Sequence, residues 1–133
     1  MALTDFRTLG RSGLVVSPLA PGTMTFGTVR WGSCDEVSKA VFNAYVDAGG
    51  NFVDTADMYS GGKSEEMLGG YIAGRHLRDQ VVLATKFSFG GQAGNPNVGG
   101  NGRKKTFIAR WKPRCAASKP TMPTCTGCTP TTA

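Results

Sequence analysis

Three side chains invite a chemical reading: Asp54, Tyr59 and Lys86. Asp54 lies inside an apolar run, Asn51–Ala56, that reads as a buried strand. Tyr59 follows five residues on, ahead of a glycine turn. Lys86 stands near the end of a second apolar run, Val81–Phe87. If the runs are neighbouring parallel strands, their ends meet and the three polar groups converge. A carboxylate beside an ammonium forms an ion pair. An ammonium beside a phenol favours phenolate, so the phenol becomes a better proton donor to a carbonyl oxygen that is gaining charge. The same residues admit a structural reading, in which Asp54 caps a turn, Lys86 neutralises it and Tyr59 packs at the rim. Spacing alone leaves both open.

The elements that must position this trio are legible along the first hundred residues. FRTLGRSGLVVSP has a Gly-Arg-Ser-Gly turn between two β-prone runs and predicts a hairpin. Leu19–Met24 reads as a short strand weakened by Pro21. Ser33 and Glu36 have capping-box spacing. Behind them Val37, Ala40, Val41, Ala44, Tyr45 and Ala48 recur at helical spacing, and Gly49 supplies a stop. Ser64 is placed to cap a second helix, with Glu65 and Glu66 in its first turn and Met67, Leu68, Tyr71 and Ile72 as its buried stripe. Val81–Phe87 has the continuous apolar character of a strand covered on both faces. The order is hairpin, β, α, β, α, β, which predicts parallel strands joined by helical crossovers. A doubly wound sheet and a (β/α)8 barrel both fit, and both carry their sites at the C-terminal strand ends. The segment GTMTFGTVRWGSC lacks the G-x-G-x-x-G of a dinucleotide-binding turn. The glycines at 90–102 read as a loop.

Charge divides the chain in two. Residues 1–100 hold eight Lys/Arg and nine Asp/Glu, whereas residues 101–133 hold seven Lys/Arg and no acid. That last part also has three of the four cysteines and four of the seven prolines. The expected division is 1–103 and a basic tail, 104–133, that is irregular or disordered. The chain has no apolar run long enough to span a membrane. Its N-terminus lacks the apolar region of a secretory signal, which suggests a cytoplasmic protein. Cys125-Thr-Gly-Cys128, with Cys115 nearby, lacks the second ligand pair of a zinc site, so no metal is expected. The tail's charge allows adventitious polyanion binding, but its aromatic spacing does not suggest specific nucleic-acid recognition.

Residues 1–103 resemble the aldo-keto reductase family. The likeness runs through RTLGRSGLVVSPLAPGTMTFG (7–27), DAGGNFVDTADMYSGGKSEEMLG (47–69) and RDQVVLATKF (78–87). It implies a partial (β/α)8 barrel: an N-terminal hairpin and about three βα units. It further implies NADPH-dependent reduction of a small aldehyde or ketone, with Tyr59 as general acid tuned by Asp54 and Lys86. Gly22, Thr23 and Met24, with Asp54, match the part of the family's site that lies against the cofactor. Ala20-Pro21 departs from the usual approach to that loop. Phe26 and Trp31 stand where either a substrate mouth or ordinary loop burial would use them. The family's histidine at the end of the fourth strand has no counterpart, since His76, the sole histidine, follows the second helix.

The tail, KTFIARWKPRCAASKPTMPTCTGCTPTTA, departs from the family's third helix and fourth strand. Shifted by one nucleotide, Trp111-Lys112 forces a glutamate codon and Met122-Pro123 an alanine codon. Permitted synonymous codons then spell LEASLRRLKTDYADLYWMH from Arg110–Trp111 onward, a family-like helix and strand that end in the missing histidine. A net one-nucleotide slip near codons 103–106 is the expectation. A chain so altered is expected to be inactive alone, with the Val81–Phe87 edge unpaired. The alternatives are a non-enzymatic cofactor- or partner-binding barrel fragment and a non-functional gene product. Substrate and oligomeric state are not specified by the sequence.

Overall fold

A computed structural model describes residues 1–28 and 30–86, together with the backbone of 125–126. The expected hairpin is present: β1 (Arg7–Thr8) pairs antiparallel with β2 (Val15–Val16). The first strand of the parallel layer shrinks to one bridge, Gly22 to Asp54. Pro21 has no N–H to give, so only its carbonyl joins the ladder, accepting the Asp54 N–H at 3.1 Å.

Helix α1 (Asp35–Asp47) starts one residue later than the capping box implied, with Cys34 as N-cap and no side-chain cap. Ser33 is committed elsewhere. Its backbone bonds Thr25 and Gly27, and its hydroxyl lies 2.8 Å from that of Ser38. The Glu36 carboxyl is held below the usual range by a hydrogen bond with the Cys34 side chain and then by its own backbone N–H. The inward face of α1 is also rotated from the one the apolar spacing suggests. Ser38 and Phe42 are buried, while Val37 and Val41 are exposed. Phe42 decides the phase: its ring packs 5.7 Å from that of Tyr71. Gly49 ends the helix as expected, at φ 87°.

Strand β3 (Phe52–Asp54) leads through a 3-10 turn (Tyr59–Gly62) into α2 (Lys63–Gly74). The N-cap of α2 is Gly62 in a left-handed conformation, not Ser64. Ser64 sits within the first turn, fully buried, because its hydroxyl is needed against the first strand. It is 2.8 Å from the Thr23 carbonyl and 2.9 Å from Thr23 Oγ1. The stripe Met67, Leu68, Tyr71 and Ile72 is buried as expected, in a core shared with Phe26, Phe42, Val53, Leu77 and Val81.

Strand β4 (Val82–Thr85) runs parallel to β3, with Phe52 opposite Val82 and Asp54 opposite Ala84. Only its two end residues are buried, not both faces throughout. Its far edge, expected bare, is partly covered. β5 (Cys125–Thr126) pairs parallel to Ala84–Thr85. Phe87, the glycines at 90–102, Cys115 and Cys128 lie outside the described residues, as do the Cys125 side chain and the rest of the 104–133 tail. The outcome is the β-α-β-α-β order that the sequence implies, with the parallel strand ends gathered on one side. Among the described residues no helix is long and apolar enough to cross a membrane.

Candidate active site

The register of β3 and β4 brings Asp54 and Lys86 together. Asp54 is opposite Ala84, so Lys86 leaves the sheet just beyond it. The Lys86 ammonium meets Asp54 Oδ2 at 2.5 Å and donates to the Thr55 carbonyl at 3.0 Å. It lies 3.5 Å from the Tyr59 hydroxyl, a long contact, and 5.3 Å from the centre of the Tyr59 ring. All three residues of the candidate trio therefore share one ammonium as their centre.

The backbone fixes this arrangement. Thr55 N–H donates to the Ala84 carbonyl at 2.9 Å, and Asp57 N–H donates to the Lys86 carbonyl at 3.0 Å. The segment between Asp54 and Tyr59 is thus stitched to the end of β4 on both sides of the ion pair. Tyr59 N–H donates to the Ala56 carbonyl at 3.2 Å and starts the turn. Burial alone would lower the Lys86 pKa. The Asp54 hydrogen bond and charge, with smaller contributions from Tyr59, outweigh it and hold the ammonium above its ordinary value. Both partners are part-exposed, 50% for Lys86 and 35% for Asp54, so water screens the pair and its stability contribution is at most about 1 kcal/mol.

The residues matched to a cofactor loop divide. Gly22 is exposed, and a Cβ built on it would meet nothing within 4 Å. Met24 is exposed as well. Thr23 is buried with its hydroxyl on Ser64, so it offers a ligand no side chain. Gly22 therefore leaves its side of the loop open, one bridge away from Asp54. Phe26 belongs to the core, with its ring 6.5 Å from Tyr71, and is not part of a substrate mouth. Trp31 is exposed on the loop before α1. His76 is exposed beyond α2, at φ 53°, away from the trio's strand ends as its place in sequence implied. No group of His, Cys, Asp and Glu able to hold a metal occurs among the described residues.

Sequence reasoning passed over two parts of the site. The Thr55 carbonyl carries no sequence signal, since any residue would supply it. Ser60 carries none either, since its partners, the Phe26 carbonyl and Thr28 Oγ1, lie 34 and 32 residues away in sequence.

Comparison with known proteins gives the family. The model of the "Aldo/keto reductase family" matches residues 18–113. Norsolorinic acid reductase of Aspergillus flavus is 40% identical over 108 residues, covering 74% of this chain and 28% of that protein. Aryl-alcohol dehydrogenase [NADP(+)] of Phanerodontia chrysosporium is 44% identical over 82 residues, 57% of this chain and 21% of that one. Among solved structures, the holo form of an aldo-keto reductase from Bacillus halodurans superposes with a TM-score of 0.70 at 27% identity, over 86% of this chain and 36% of that one. These structural neighbours are (β/α)8 barrels, so the described unit is part of one. The chain spans about 28% of the length of the first curated relative.

Proposed function

This chain belongs to the aldo/keto reductase family, and we propose from that premise that Asp54, Tyr59 and Lys86 are the proton-donating part of an NADPH-dependent carbonyl reductase site. The observation that carries the reading is the Lys86 ammonium, which bridges the Asp54 carboxylate and the Tyr59 hydroxyl. In this role Tyr59 donates its proton to the carbonyl oxygen of an aldehyde or ketone. Lys86 steadies the negative charge left on the phenol oxygen, and Asp54 holds Lys86 charged and in place. The nicotinamide, when bound, supplies the hydride. Gly22 and Met24, both exposed, with Asp54 one bridge away, are the residues that would hold that ring. A relative named for aryl alcohols supports an aryl aldehyde as the first substrate to try.

The polypeptide alone is expected not to turn over. The histidine that the family resemblance calls for is absent from the trio, and a complete barrel takes about 250 residues. The reading in which 104–133 is an out-of-frame continuation is supported by the place of β5. Shifted by one nucleotide, permitted synonymous codons of the tail can spell DLYWMH across codons 123–129, and Cys125–Thr126 is the segment that pairs with β4. The chain distance from β4 to β5 is then that of a third helix followed by a fourth strand.

The experiment takes the gene as found and the gene with its frame restored near codon 103, and follows NADPH consumption with an aryl aldehyde. The chain as found should consume none. The frame-restored protein should reduce the aldehyde and lose about 10²- to 10⁴-fold in rate on Tyr59→Phe. Turnover by the chain as found that Tyr59→Phe abolishes would disprove inactivity. Turnover by the restored protein that survives Tyr59→Phe would disprove the proton-donor role. Codons that do not spell this helix and strand would remove the frame-slip reading.

A further inference from the structure

Two hydroxyl groups tie the turn that carries Tyr59 to the loop before α1. Ser60 Oγ donates to the Phe26 carbonyl at 2.7 Å and lies 2.8 Å from Thr28 Oγ1. Each hydroxyl has one proton. With the Ser60 proton on the Phe26 carbonyl, the bond between the hydroxyls must run from Thr28 to Ser60. Thr28 Oγ1 also faces the Met24 carbonyl, but at 3.4 Å, the longer of its two contacts. The direction of this chain of bonds is therefore set: Thr28 to Ser60 to Phe26.

Ser60 makes these bonds from a strained backbone. Its φ and ψ are 52° and 34°, the left-handed region that glycine enters freely and serine does not. Gly61, next to it, is also left-handed. Glycine at 60 would relieve the strain but would lose both hydrogen bonds. The residue immediately before Ser60 is Tyr59, whose hydroxyl lies 3.5 Å from Lys86 Nζ. A small rotation of the turn would break that contact, since 3.5 Å is already at its limit.

We infer that Ser60 is a positioning residue, anchored through Thr28 and the Phe26 carbonyl, whose hydroxyl holds the Tyr59 phenol toward Lys86. It couples the loop that follows the first strand to the proton donor, so displacement of that loop moves the phenol. The inference rests on the reading of Tyr59 as proton donor, and its test separates the two.

The readout is the nuclear Overhauser cross-peak between the Tyr59 ring protons and the Lys86 side-chain methylene next to Nζ, in the full chain labelled with ¹³C. The wild-type chain should show it, given the 5.3 Å from Nζ to the ring centre. Ser60→Gly and Ser60→Ala should lose it. Ser60→Asn should recover part of it, because asparagine tolerates the left-handed region and its amide can donate to the Phe26 carbonyl. Thr28→Val, which removes the hydroxyl that bonds Ser60, should weaken it and decides the matter if the Ser60 variants fail to fold. A purely structural serine would change the melting temperature and leave the cross-peak intact. Retention of the cross-peak in folded Ser60→Gly or in Thr28→Val overturns the inference. Absence of the cross-peak in the wild-type chain overturns the proton-donor cluster itself, and the positioning role falls with it.

Discussion

Ser64 offers the sharpest quantitative test of the fold. As a helix cap, the role its spacing suggests, it would tolerate aspartate, which caps as well as serine and gains from the positive end of the helix. In the structure it is instead a buried bolt between α2 and the first strand, with Thr55 Oγ1 at 3.5 Å on its other side. Ser64→Ala leaves Thr23 Oγ1 buried without this partner, while the Thr23 carbonyl keeps the Phe26 N–H at 3.0 Å. One orphaned buried hydroxyl and one lost bond amount to about 1–3 kcal/mol. Ser64→Asp places a carboxylate at a position with no exposure, facing a carbonyl oxygen. An unpaired buried charge costs about 3–5 kcal/mol, a large share of the roughly 5–15 kcal/mol that holds a domain together. Urea denaturation followed by circular dichroism compares the variants directly. The buried bolt orders them wild type, then Ser64→Ala, then Ser64→Asp, with aspartate close to unfolded in water. A cap orders them with aspartate level with wild type and alanine last. Ser64→Asp more stable than Ser64→Ala would refute the packing described for α2.

Two further outcomes follow from particular contacts. Because the folded Lys86 pKa lies above its ordinary 10.5, the pair stabilises the fold fully below that pH and loses its effect as pH rises through the folded value. The stability difference between wild type and Lys86→Met should therefore shrink above about pH 10.5 and stay flat from neutral pH up to there, as denaturation midpoints at stepped pH would show. Gly50→Ala would put a methyl group 2.2 Å from Tyr45 Cζ, against a ring whose hydroxyl is held by the backbone of Leu19 and Phe52. The ring must leave or the loop must shift, at about 1–3 kcal/mol, and a denaturation midpoint equal to wild type would contradict the packing at this loop.

The meeting of Asp54, Tyr59 and Lys86 was legible because it depends on strand order. Parallel strands put their C-terminal ends together, and polar residues at the ends of two apolar runs then have to meet. The stripe of α2 was legible for a similar reason, since its large residues all point one way. The face of α1 was not. Val37 and Val41 on one side and Phe42 and Val46 on the other are all apolar, so periodicity alone cannot choose the inward side. The choice falls to the largest ring and to what it meets on α2. Both serine caps were misplaced because a hydroxyl near a helix start can serve a partner distant in sequence. Ser33 bonds within its loop and with Ser38, and Ser64 reaches back 41 residues to Thr23. The spacing that marks a cap does not reveal that competition.

The trio also has to survive at the end of a strand with little cover. Pairing of β4 with β5 stops at Thr85, and the Lys86 side chain is half exposed. Three attachments hold Lys86 to the β3 exit: its carbonyl to Asp57 N–H, its ammonium to the Thr55 carbonyl and its ammonium to Asp54. Lys86→Met removes two of the three and leaves the bonds deeper in the sheet, such as Val82 N–H to the Asn51 carbonyl at 2.7 Å, untouched. Local opening at the site should then become easier than opening of the sheet. Native-state hydrogen exchange reads both at once. The Asp57 amide should exchange about tenfold faster in Lys86→Met, for a local loss of about 1.4 kcal/mol, beyond any change at Val82. Equal acceleration at the two amides would mean that Lys86 supports the whole sheet. No acceleration at Asp57 would mean that the ammonium holds nothing there, and the geometry on which the catalytic reading stands would be lost.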